Sequence, residues 1–518
     1  MKKKLALTTS ILALSLLSAC SKDSDKTKEA EQLTIPITVE AKAKQLDANS
    51  YNAAMPLYGA VYEPLVEYGE KGKFRPGIAK SWDIEENAKR YTFHIDKGQY
   101  FSDGSRLTAD AIKFSIERAK TLNQTTTLQT LLNLKSIETP DDYTIVLNFS
   151  KTSNQILNEL CQVRPLRIMS PHAVKGGKVN GKFIKPIGSG ALTVDSSDTE
   201  ETVLKANPYF NKKHPIQYGV TFKTITDASA RTLALKSGEA DLLGGTISDL
   251  TDTDIKALKK TFNKETYPGT MSHFLAFNPD NKRLNKEIRE AIDLSIDKRA
   301  LSSKKLSGIF QPTVQFVTTN NQAKTAFNPN KAKTLLEKNG YRLNKNKIYE
   351  KDGKALEFSL VLQTAEFPTW KEKAEIIESQ LKKVGIKTNI TIMDSETYYE
   401  TLWTSKKYDF ILYRTYTDAL LPYTFMKSLF YNSTETPGVL AKDQELSRLI
   451  DDFESKTSTK DQQKQFDVIF SYFNQQHFAI PVEYKSEQFI TSKKIKEFAY
   501  TGLSDDPIDY EHLSISND

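Results

Sequence analysis

Six histidines, His94, His172, His214, His273, His477 and His512, are the obvious candidates for holding a metal ion, yet no two stand four residues apart. That spacing aims two imidazoles from one helix face at a single ion. Each therefore reads as an isolated structural or surface residue, and no protein-borne metal site is expected. The chain also lacks a G-x-S-x-G elbow, a P-loop and an H-E-x-x-H pair, and Cys161 has no histidine close in sequence. Neither catalysis nor an intrinsic cofactor is expected. What remain are groups that hold rather than transform. Arg164, in CQVRPLRIMSP (161–171), carries a guanidinium whose two parallel donors and permanent charge suit a carboxylate. That carboxylate is either a neighbouring side chain or an external group. Arg167 reads as a surface residue or a support behind it. Asp418, in RTYTDALLPYTF (414–425), is either a solvated loop carboxylate or a buried one that requires a cationic partner such as an amine. Tyr51, Tyr58, Tyr416 and Tyr423 offer flat apolar walls with a hydroxyl edge. With 23 tyrosines in the chain several must be packing residues, and Tyr51 and Tyr416 are the preferred pair.

These groups need elements to position them. YTFHI (91–95) alternates apolar and polar residues, Asp103-Gly104 supplies a turn, and LTADAIKFSIERA (107–119) puts Ile112, Ile116 and Ala119 on one helical face with Thr108 as a cap. Ile288, Ile292 and Ile296 recur every four residues. Ala374, Ile377, Leu381 and Val384 form one stripe that Gly385 ends. From Ile386 the period becomes two, with Ile390 and Ile392 on the same face of a strand. Such switches mark α/β layers.

The first 32 residues are different. Lys2, Lys3 and Lys4 precede an apolar run too short to span a bilayer comfortably, and Leu17-Ser18-Ala19-Cys20 is a small-residue cleavage box. With Cys161 the only other cysteine, Cys20 has no disulfide framework to join and reads as a lipid attachment point. Ser21 and the eleven residues after it are too polar to order themselves, so they form a tether. The remaining length exceeds one ordinary core and predicts two or three lobes. Setting aside the three leader lysines lowers the formal charge from +7 to +4, which gives no reason to expect a nucleic-acid partner.

The leader resembles the lipobox of bacterial lipoproteins. The rest resembles the family-5 extracytoplasmic solute-binding proteins, which serve ABC importers of peptides and nickel. The likeness rests on YEPLVEY (62–68), the run 78–119, RTLALKSGEADLL (231–243), the run 277–301, FNPNKAKTLLEKNGY (327–341) and YDFILYRTY (408–416), in the family's order. It implies an α/β, two-lobed periplasmic-binding-protein-like fold of type II, large class, with ligand engulfed in the cleft between lobes. The implied divisions are a signal peptide at 1–19, lipidated Cys20 and tether at 20–32, and lobe I at 33–272 and 487–518, with an inserted subdomain at about 80–185. Lobe II is then 273–486, and Pro481 punctuates the return crossing.

The resemblance also suggests roles. Arg164 matches the first arginine of the nickel branch's Arg-Pro-x-Arg segment, which holds the carboxylates of a metal chelate. The nickel branch's metal-binding histidine falls near Thr434, where this chain has none. Its tryptophan after Arg-Thr corresponds to Tyr416, after Arg414. Asp418 lies where peptide-binding members carry an aspartate for the ligand's α-ammonium group. The implied ligand is Ni(II) or a related metal wrapped in a small amino-acid-like chelator; the alternative is a dipeptide or oligopeptide. The implied partners are that small molecule, ABC permease subunits and, through the lipid, the outer face of the cell membrane, with the protein a monomer.

Overall fold

The computed structural model describes residues 31–51, 55–69, 73–85, 87–126, 128–210, 215–323, 325–415, 422–434 and 437–516. Cys20, the leader and the tether lie outside them, as do Tyr416, Asp418 and His214. No helix among the described residues is long and apolar enough to cross a membrane.

Two apolar cores organise the chain. In the first, EQLTIPI (Glu31–Ile37) turns Leu33, Ile35 and Ile37 inward at the strand period. This strand runs parallel to Tyr218–Thr224, and Glu201–Ala206 and Leu192–Ser197 continue the sheet antiparallel. A second, antiparallel sheet is ordered Ala79–Glu85, Arg90–Ile95, Thr144–Phe149, Leu134–Asp141. The helix Ala109–Leu122 packs on it through Ile112, Ile116 and Ala119. Thr108 occupies the cap position of that helix, but its side chain makes no capping hydrogen bond. Both sheets contribute to one core drawn from residues 33–247 and 489–513.

The second core, drawn from residues 271–482, surrounds a five-stranded mixed sheet. Its order is Lys387–Met393, Glu357–Gln363, Phe410–Arg414, Ser272–Phe277, Ala479–Tyr484. The helix Trp370–Val384 buries Ala374, Ile377, Leu381 and Val384, and Gly385 ends it in the left-handed region at φ 96°. Ile386 is buried, but Ile392 is 47% exposed, because Lys387–Met393 is an edge strand whose far end is not covered. Ile288, Ile292 and Ile296 are all buried, the last one just past the helix Lys286–Ser295.

The chain passes between the cores after Tyr267 and again after Tyr484. The two crossings lie side by side: the Lys485 amide donates to the Met271 carbonyl at 3.1 Å. Pro481 does not punctuate the second crossing. It sits inside the edge strand Ala479–Tyr484, where the register shifts between His273 and Phe274, a position that needs no proline N–H. The molecule is an α/β protein of two lobes.

Candidate functional site

A cavity of about 700 Å³ lies between the lobes. Lobe I supplies the end of its first strand, from Ile37 to Glu40, with Tyr51, Arg164 and Asp505; lobe II supplies Glu366, Tyr399, Trp403 and Arg414. These are mainly loops and strand ends. Glu366 follows the strand Glu357–Gln363, and Arg414 ends its parallel neighbour Phe410–Arg414. Ligand-facing groups at the carboxyl ends of parallel strands are the rule in open α/β sheets.

Arg164 is partly buried. Its Nη1 donates to the Tyr51 carbonyl at 2.9 Å, and its guanidinium lies 5.4 Å from the centre of the half-exposed Tyr51 ring. The segment that carries it is held from behind. Asn49 donates to the Pro165 and Arg167 carbonyls, both at 3.0 Å. Arg167 is buried rather than at the surface. It donates to the Gln162 and Tyr62 carbonyls and pairs with Asp506 at 2.9 Å, tying the Arg164 loop to the segment that presents Asp505.

Arg414 is only 5% exposed and sits in a dense network. Its Nη2 lies 3.4 Å from the Tyr399 hydroxyl oxygen and 3.5 Å from a Glu366 carboxylate oxygen, and the guanidinium stacks on Phe367 at 4.8 Å. Tyr399 donates to the same Glu366 carboxylate at 3.1 Å. Gln363 donates to the other carboxylate oxygen at 2.8 Å and accepts from the Glu366 amide at 3.0 Å. Burial pushes the Tyr399 hydroxyl well above its ordinary pKa, so it remains a neutral donor. Burial works against the Arg414 charge, but Tyr399, Glu366 and Asp505 more than restore it.

The candidates from sequence divide. Arg164, Arg414 and Tyr51 come together on the cavity wall. Tyr58 does not line it: the side chain is fully buried, with the hydroxyl donating to the Asp47 and Ser50 carbonyls. Tyr423 likewise faces the core, stacked on Phe453 with its hydroxyl bonded to Glu454, while its neighbour Thr424 reaches the cavity. Tyr416 and Asp418 fall outside the described residues, and Thr434 is exposed and away from the cavity wall. The five described histidines each face a carboxylate: Asp83, Asp103, Glu483, Asp293 and Asp509 for His94, His172, His273, His477 and His512. None lines the cavity.

Glu366, Tyr399, Asp505 and Trp403 escaped sequence reading. Trp403 sits in a π-helical turn, Thr401–Ser405, and is 47% exposed at the cavity edge. Such turns recur at functional sites because the extra residue re-aims a side chain. A tryptophan beside Thr-Ser-Lys-Lys was the available signal.

Among curated proteins, the nickel-binding periplasmic protein of Escherichia coli (strain K12) is 26% identical over 383 residues, covering 71% of this chain and 72% of its own. The di/tripeptide-binding protein 1 of Pseudomonas aeruginosa (strain UCBPP-PA14) is 26% identical over 371 residues, covering 65% and 67%. The crystal structure of NikA from Brucella suis in complex with Fe(III)-EDTA shares the fold, with a TM-score of 0.84, 24% identity and coverage of 94% of this chain and 100% of that one. Residues 73–437 match the middle region of the bacterial extracellular solute-binding proteins, family 5, and the chain belongs to that family.

Proposed function

We propose that this protein is the substrate-binding lipoprotein of an ABC importer, held outside the membrane by Cys20, and that it captures nickel or a related transition metal already wrapped in a small amino-acid-like chelator. The observation that carries the proposal is the pair of guanidinium groups, Arg164 from lobe I and Arg414 from lobe II, on the walls of one 700 Å³ cavity. Guanidinium forks recognise carboxylates, and a chelator brings carboxylates together with the nitrogen donors that a nickel ion prefers. The volume lies within the range of ordinary small-ligand sites. Trp403, Tyr399 and Tyr51 supply aromatic surface for the flat parts of such a complex. Nothing in this role calls for chemistry on the ligand.

A second reading is a dipeptide or oligopeptide ligand. It is favoured by the carboxylates Glu366 and Asp505 on the same walls, which suit an ammonium group, and by the peptide-binding relative. Mass spectrometry and elemental analysis of what co-purifies with the protein separate the two. Metal with an amino-acid chelator supports the first; retained peptides with no metal hand the site to the second.

A further inference from the structure

The helix Ala228–Ser237 carries an arginine that the binding site does not use. Arg231 is completely buried, and among the described residues it makes no ion pair, although Asp249, Asp227 and Asp254 act on its charge from farther away. Burying a guanidinium with no carboxylate in contact is costly, and its hydrogen bonds offset part of that cost while Nε stays without a partner. They go to three carbonyls. Nη1 donates to Ile225 at 3.0 Å and Thr226 at 2.9 Å, within lobe I. Nη2 donates to Ala365 at 3.2 Å, in lobe II.

Both ends of this bridge lead to the cavity. The Ile225 amide donates to the Ile37 carbonyl at 2.9 Å, and Ile37 lines the lobe I wall. Ala365 precedes Glu366, whose carboxylate meets Tyr399 and Arg414 on the opposite wall. Arg231 therefore binds the backbone behind both walls without lining the cavity itself. A planar fork with several donors in fixed directions suits carbonyls that come from two lobes at once.

We propose that Arg231 is a positioning residue for solute capture: by taking the Ala365 carbonyl when the lobes meet, it fixes Glu366, and through it Arg414, in the gripping geometry, and this bond must open before ligand leaves. The proposal rests on the cavity being the ligand site. Encounter precedes the bond and release follows its rupture, so the effect falls on dissociation.

Two variants, Arg231→Gln and Arg231→Lys, test it in the full chain; the second retains the charge but not the fork, and serves if the first fails to fold. The probes are Ni(II) with excess L-histidine and, separately, a dipeptide. For whichever probe the wild type binds, dissociation is expected to accelerate about ten-fold, the scale of one charged hydrogen bond, with association unchanged within about two-fold. The lobes also meet part of the time without ligand, so amide hydrogen exchange across 364–369 in ligand-free protein is expected to quicken in both variants. Unchanged dissociation overturns the proposal while leaving the ligand reading intact. If neither probe binds the wild type, the ligand reading falls and exchange alone decides: faster exchange supports the interlobe tie, equal exchange overturns it.

Discussion

The two walls of the cavity present the same cation in opposite ways. On lobe I, Arg164 is partly exposed, rests against Tyr51, and is positioned by hydrogen bonds to the loop that carries it. On lobe II, Arg414 is nearly buried and locked to Glu366, Tyr399 and Phe367. A buried, charge-paired guanidinium is part of the fold as well as of the site, because removing it strands its partner in a low-dielectric setting. A more accessible one can be spent on the ligand. The difference separates stability from affinity, and substitutions can test it.

The largest effect is expected from Arg414→Ala. It leaves the partly buried Glu366 without its cation and should cost about 2 kcal/mol of folding stability as well as ligand capture, read by urea melts and calorimetry. A variant that loses capture at full stability would erase the distinction between the walls.

The lobes also differ in their response to pH. In lobe I, burial raises Glu63 and Glu159 to about 7, against the pull of Ser189 on the first and of the Thr130 and Gln129 amides on the second. A carboxyl raised in the folded state stabilises it most below the unfolded pKa, and that contribution is lost as pH rises through about 7. In lobe II, burial opposes ionisation of Glu483, but His273 and Lys485 hold it down at about 2. Its contribution is present above the ordinary glutamate pKa and is lost as pH falls through about 2. Urea melts followed on Trp82 for lobe I and Trp370 for lobe II, in single-tryptophan variants, should show lobe I weakening between pH 5 and 8 by up to about 3 kcal/mol per group. Lobe II should weaken first below pH 4. Identical pH profiles for the two probes would contradict this division.

Trp403→Ala sharpens the comparison within lobe II, since this exposed ring touches the cavity but not the Arg414 network. Affinity should fall by about 1 kcal/mol with stability unchanged, measured by the same calorimetry. Equal in size but confined to stability is Tyr58→Phe, which removes hydroxyl bonds inside lobe I. A loss of about 1 kcal/mol in stability and none in affinity is expected; weaker capture would return Tyr58 to the site.

Much of this architecture was legible in the chain because it is periodic. The stripe Ala374, Ile377, Leu381, Val384 and its stop at Gly385 are local patterns with one solution. Pro481 misled because an edge strand admits a proline that a central strand would not. The site was harder. Arg164 and Arg414 stand in recognisable segments, whereas Glu366 and Tyr399 become site residues only because strand ends far apart in sequence meet across a sheet. Tyr58 and Tyr423 show the converse: a tyrosine's chemistry says nothing about which way its helix turns it.

The most direct measurement is calorimetric titration of the purified protein with Ni(II) plus excess L-histidine, and with a dipeptide, run in parallel on wild type and Arg164→Ala. Binding of one of the two by wild type is expected, with the heat abolished in the variant while its unfolding midpoint stays where it was. Equal affinity in both proteins would show that the solute is not held where the two guanidinium groups meet.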